Sequence, residues 1–166
     1  MNKKGHVLNA ALLSIGLGYV LEPSGDVPTF VAIAEMTVPL VLGALFPDVD
    51  TAFGKHRKTL HNFLVLGIFV AFPILFDNLH FVWIGVLTHY ILDLFGSRRG
   101  LAFFYPYEKE YSLPIGVTTS SKWADLVTVL ITLAEVALFA AVHYYVVPLD
   151  GGLDGGLDAV TTLLGL

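Results

Sequence analysis

Cysteine is absent from all 166 residues. Disulfides, thiolate metal ligands and a cysteine nucleophile are therefore excluded. Charge is scarce as well: 14% of residues are charged, against about 25% in an ordinary soluble domain. Most of the chain has no water to face. Basic residues number nine and the net charge is −5. That balance lacks the basic footprint of a nucleic-acid binder, so no nucleic-acid partner is expected.

Apolar residues make up 55% of the chain and its mean hydropathy is strongly positive. Five apolar stretches stand out, at Val7–Leu21, Phe30–Phe46, Phe63–Phe76, Leu79–Phe95 and Ala124–Val147. About 20 helical residues cross a hydrocarbon core of about 30 Å. The last stretch meets that length; the first four reach it only with their polar flanks. None shows the period-two alternation of membrane strands, which would also need a closed barrel. Lys3 and Lys4 precede the first stretch, but Leu21-Glu22-Pro23 offers no small-residue cleavage site, so a retained helix is expected rather than a signal peptide. The predicted fold is all-α: a polytopic helical membrane protein of about five transmembrane helices, embedded among membrane lipids. Residues 1–149 form one domain, and 150–166 a Gly/Asp-rich linker with a short apolar tail.

Charge sorts the loops. Lys3 and Lys4, then Lys55, Arg57 and Lys58, then Arg98, Arg99, Lys109 and Lys122 account for every basic residue. Alternation across five spans puts all three groups on one side, and Glu22, Asp26, Asp77, Asp150, Asp154 and Asp158 on the other. Positive charge marks the cytoplasm, which predicts a cytoplasmic N-terminus and an outside C-terminus. Asp77-Asn78 makes the third and fourth spans a tight helical hairpin, and Pro47 ends the second.

This topology gathers dispersed ionisable residues at the inner face. His6 opens the first span. Asp48 and Asp50 follow the second. His56 and His61 precede the third, and His89 and Asp93 lie near the inner end of the fourth. His89 and Asp93, four apart on a helix, share a face. Asp48 and Asp50 would share a side if the segment after Pro47 is extended; alternatively Asp48 caps a turn. Mixed imidazole and carboxylate donors suit zinc, manganese or iron. Ionisable groups at membrane depth are costly and mark functional sites. The alternative is a salt-bridge network in which Arg57, Lys58, Arg98 and Arg99 neutralise the aspartates. His80 and His143 are expected at the outer interface. Glu35 and Glu135, inside spans, either bond between helices or mark a second polar site.

Leu45-Phe46-Pro47-Asp48-Val49-Asp50, His56-Arg57-x-x-x-His61 and His89-x-x-x-Asp93, followed by Gly100 and Tyr105-Pro106 and preceded by His6, resemble the YdjM-like membrane-bound metal-dependent hydrolases. The resemblance runs from His6 to about Pro106. It departs at Leu60-His61-Asn62, where the family usually has Thr-His-Ser. The family is thought to be distantly related to zinc-dependent phospholipase C and the S1/P1-type nucleases, so the resemblance implies metal-dependent hydrolysis of a phosphoester. On that reading His6, Asp48, His61, His89 and Asp93 hold one or two divalent ions, Zn²⁺ foremost, with Mn²⁺ or Fe as alternatives. Asp50 and His56 serve as further ligands or acid–base groups, and Arg57, Arg98 and Arg99 grip a phosphate. The aromatic run Leu101–Tyr107 suits the headgroup region, as a lipid entrance or a plain anchor. An ion or metal transporter and a non-catalytic membrane scaffold are the competing classes.

Overall fold

The computed structural model describes residues 2–97, 99–113 and 121–146. Within them the regular elements are five α-helices, α1 (Lys3–Leu21), α2 (Val27–Leu45), α3 (Phe63–Phe76), α4 (Val82–Phe95) and α5 (Ala124–Tyr145), plus a 3₁₀ segment at Pro47–Ala52. No strand forms among the described residues beyond a single bridge between Leu101 and Tyr111.

Local chemistry sets the ends. The Asn2 side chain accepts from Gly5 N at 2.8 Å, so α1 starts earlier than its apolar run and carries His6 inside its first turns. Pro28 occupies the first turn of α2, where its missing N–H costs nothing. Asn62 caps α3 by accepting from Val65 N at 3.0 Å, the role a serine also fills, which accounts physically for the departure beside His61. Asp77 ends α3 in the left-handed region and begins the expected turn into α4. The stretch 79–81 stays outside α4.

Helix α1 packs along α2 and α5, α2 along α4, and α3 against α4. Small residues permit the closest approaches, as is usual between helices in lipid. A Cβ on Gly43 would lie 2.1 Å from Val82 O, and one on Gly85 2.2 Å from Leu40 O. The α2–α4 crossing is therefore a backbone-to-backbone contact. Ala10, Leu13, Leu17, Met36, Leu40 and Ala44 form the main apolar core, whereas α3 buries only Pro73 fully and packs Leu66 and Phe69 against Val86, Tyr90 and Leu101.

Among the described residues, three helices are long and apolar enough to cross a membrane: α1, α2 with its 3₁₀ extension, and α5. Helices α3 and α4 have 14 residues each, about 21 Å at 1.5 Å per residue. The 150–166 segment lies outside the described residues.

Candidate metal centre

Four separate pieces of chain meet at one end of the bundle: the start of α1, the 3₁₀ segment after α2, the loop before α3 and the last turns of α4. His6, Asp50, His61, His89 and Asp93 are all essentially buried there. Asp48 is partly open, and His56, 37% exposed at its side chain, forms the solvent edge.

The 3₁₀ geometry revises one expectation. Pro47 opens a tight helical segment rather than an extended one; Asp48 and Asp50 both come near His56 Nδ1 but approach His61 at different ring nitrogens. Asp48 turns toward the imidazoles: its Oδ1 lies 3.9 Å from His61 Nε2 and 3.8 Å from His89 Nε2. Asp50 instead reaches the Nδ1 atoms. Its Oδ1 is 2.9 Å from His56 Nδ1, and its Oδ2 is 3.0 Å from His61 Nδ1 and 3.4 Å from Leu60 N. With its oxygens committed to these donors, Asp50 orients two rings.

His89 is oriented by backbone. Its Nδ1 is 2.6 Å from Ala44 O. A carbonyl can only accept, so the ring proton is on Nδ1 and the Nε2 lone pair is free. His61 gives its Nδ1 proton to Asp50 in the same way. The two Nε2 atoms face each other at 3.1 Å. Two lone pairs at that distance repel unless a cation lies between or beside them. Asp93 Oδ2 is 3.9 Å from both nitrogens. Tetrahedral zinc, with N and O ligands at about 2.0–2.1 Å, spaces its donors by about 3.3 Å. The donors present fit such an ion after small side-chain shifts.

His6 stacks on His89 at 3.8 Å between ring centroids, with Nε2 3.3 Å from Asp93 Oδ1. Neither of its buried ring nitrogens makes a hydrogen bond within the described residues. Asp93 faces Nε2 as an ion pair, but Nδ1 has no such neighbour among the described residues; a buried ring nitrogen without a partner costs free energy, which a ligated ion would offset. The residues fall into two possible triads, His6 with His89 and Asp93, and Asp48 with His56 and His61. In the loop, burial pushes the His61 imidazole below its ordinary pKa against the pull of Asp50, favouring the neutral, ligating form.

The arginines behave differently from one another. Arg57 Nη2 is 3.1 Å from Asp93 Oδ2, and its Nη1 donates to Arg99 O at 3.0 Å. Arg57 thus binds a candidate ligand and a neighbouring loop. Arg99 enters through its carbonyl, with its side chain exposed, and Arg98 lies outside the described residues. The 99–113 loop closes over the site's rim: Ala102 N donates to Arg57 O, and Phe63 N to Phe103 O. Phe63 and Phe103 stack, while Phe104 and Tyr107 remain largely exposed. Lys58 pairs with Glu108 and Glu110, and Lys55 with Glu108.

One element escaped sequence reasoning. Tyr90 donates to Leu60 O at 2.6 Å and lies 3.2 Å from Asn62 O, pinning the loop that carries His61. Its only sequence signal is adjacency to His89. Of the residues expected elsewhere, Glu35 is exposed on the outside of α2, and Glu135 bonds between helices. His80 pairs with Asp77 at the α3–α4 turn.

Long apolar helices and a buried His/Asp cluster at one bundle end define a helical membrane protein with a candidate metal centre. The chain belongs to the YdjM inner membrane protein family, whose model matches residues 1–149. Neither a curated protein nor a solved structure matches it.

Proposed function

We propose that this protein is a membrane-embedded, metal-dependent hydrolase that cleaves a phosphoester at the cytoplasmic face. The observation that carries the reading is the pair of Nε2 atoms 3.1 Å apart, each ring having its other nitrogen occupied, with carboxylate oxygens of Asp48 and Asp93 converging on them. Zn²⁺ is the favoured ion, since a mixed set of His and Asp donors suits it. His61, His89, Asp48 and Asp93 would hold it; His6 and His56 belong to the two triads that allow for a second ion.

Bound there, the metal would supply hydroxide at neutral pH and a Lewis acid for a phosphoryl oxygen. The protein's own part is orientation and proton handling. Asp50 fixes the tautomer of His61 and ties it to His56, whose side chain reaches the solvent edge. His56 is therefore placed to accept or return a proton where substrate enters. Arg57 is held against Asp93, so its guanidinium serves the carboxylate first and meets a phosphate only by leaving it. The exposed Phe104 and Tyr107 suit a lipid headgroup region, which makes a phospholipid the favoured substrate class.

In the bilayer all five helices cross, α3 and α4 reaching full length with their flanks. The N-terminus is cytoplasmic and the C-terminus outside, in line with the basic residues at the metal-centre end. The Arg57–Asp93 pair favours one competing account, a purely structural salt-bridge cluster. Zinc-loaded protein in vesicles, assayed on phospholipids and on bis(4-nitrophenyl) phosphate, separates the two. Turnover that is abolished by EDTA and by His61→Ala is expected; equal product release from wild type and variant would overturn the hydrolase reading.

A further inference from the structure

A second polar cluster lies deeper in the bundle, where α1, α4 and α5 meet. Asn9 Nδ2 approaches Thr132 Oγ1 and Glu135 Oε2, each at 2.8 Å. Thr88 Oγ1 approaches Asn9 Oδ1 and Glu135 Oε1, each at 2.6 Å. Thr132 gives its own hydroxyl proton to Thr128 O. Among the described residues no cation pairs with Glu135.

Counting hydrogens decides the state of Glu135. A hydroxyl has one proton, and an amide oxygen can only accept. The Thr88 proton must therefore point to Asn9 Oδ1. That leaves the Thr88 and Glu135 oxygens 2.6 Å apart, a contact that needs a proton from the carboxyl. Turning the Asn9 amide over frees Thr88 to donate to Glu135. It then sets the amide oxygen against Glu135 Oε2 at 2.8 Å, which again needs a carboxyl proton. Either amide orientation leads to the same result.

We infer that Glu135 is a proton-binding site within the membrane: a neutral carboxylic acid that ties α5 to α1 and α4. Its position is consistent with that role. Asn9 follows His6 by one turn on α1, and Thr88 adjoins His89 on α4, so the proton site braces the two helices that carry those imidazoles. An ionised carboxylate at that depth would cost several times more than a neutral, hydrogen-bonded acid. The inference stands independently of any hydrolytic activity.

Glu135 also borders lateral gaps lined by Ile91, Phe95, Leu130 and Leu138 on one side and by Trp83 and Leu87 on the other. A lipid-soluble carbodiimide can reach it there. Dicyclohexylcarbodiimide adds to a protonated acid: the carboxyl proton moves to a carbodiimide nitrogen, a carboxyl oxygen bonds to the central carbon as one C=N π bond breaks, and rearrangement gives an N-acylurea with nothing lost. Full-length protein in vesicles, treated and mapped by mass spectrometry, is expected to carry the adduct on Glu135. Infrared spectra at neutral pH should contain a protonated-acid carbonyl band that Glu135→Gln removes. Glutamine keeps the shape and offers N–H to Thr88 and C=O to Asn9, so that variant should fold; if it does not, the wild-type adduct decides. Glu135 left unmodified in wild type, or a protonated-acid band that survives Glu135→Gln unchanged, overturns the assignment.

Discussion

Asp50→Asn probes the metal centre without touching the Nε2 pair or the two carboxylate oxygens that converge on it. Asp50 is fully buried and offers different oxygens to His56 Nδ1 and His61 Nδ1. Asparagine has one oxygen and one NH₂ in nearly the same shape. One ring must then face a donor instead of an acceptor. If that ring is His61, its proton moves to Nε2 and the lone pair aimed at His89 is lost. The change removes one charge-assisted hydrogen bond, about 1.5–3 kcal/mol. That corresponds to about 10–100-fold in affinity, the range found when a carboxylate behind a metal-binding imidazole is replaced. Competitive chelator titration with zinc on detergent-purified protein reads this directly. We expect Asp50→Asn to remain folded and to bind zinc about 10–100-fold more weakly. Unchanged zinc affinity in folded Asp50→Asn would refute the orienting role of Asp50.

Other perturbations test the scaffold. Gly85→Ala places a methyl 2.2 Å from Leu40 O; forcing α2 from α4 should destabilise the protein by about 1–3 kcal/mol and lengthen the Ala44–His89 hydrogen bond, measurable as a lower Tm and weaker zinc binding together. Tyr90→Phe removes the hydroxyl that holds Leu60 O, and should cost about 1 kcal/mol in chemical denaturation, with weaker zinc binding through a looser His61. Burial of His61 gives a pH dependence to the metal-free protein. The folded-state pKa lies below the ordinary 6.5, so between the two values the unfolded chain binds the extra proton and stability falls as pH drops. Thermal melts of the chelated protein should show that fall on acidification through 6.5, and His61→Gln should flatten it.

How far the sequence could be read depends on the kind of contact involved. Helix α3 has the bounds its apolar run announced, because Asn62 and Asp77 flank it with local signals. The meeting of His6, Asp48, His61, His89 and Asp93 at one bundle end was legible from alternation of spans and from the motifs. The division of labour between Asp48 and Asp50 was not, since it turns on a 3₁₀ segment after Pro47 where an extended one was equally compatible with proline. The partner of Arg57 was also hidden: a positive residue near three aspartates could meet any of them, and only the tertiary arrangement brings its guanidinium onto Asp93. Asn9, Thr88 and Thr132 gave no signal at all, as single polar residues scattered through apolar runs. Their significance arises from three helices packing together.

Metal content tests the central claim most directly. Wild-type protein purified from zinc-supplemented cells, with His89→Ala beside it, should be analysed for elements and melted with and without EDTA. The expected result is stoichiometric divalent metal in wild type, its loss in His89→Ala, and a lower Tm for wild type after chelation. Folded wild-type protein that carries no more metal than His89→Ala, with a Tm indifferent to EDTA, would contradict it.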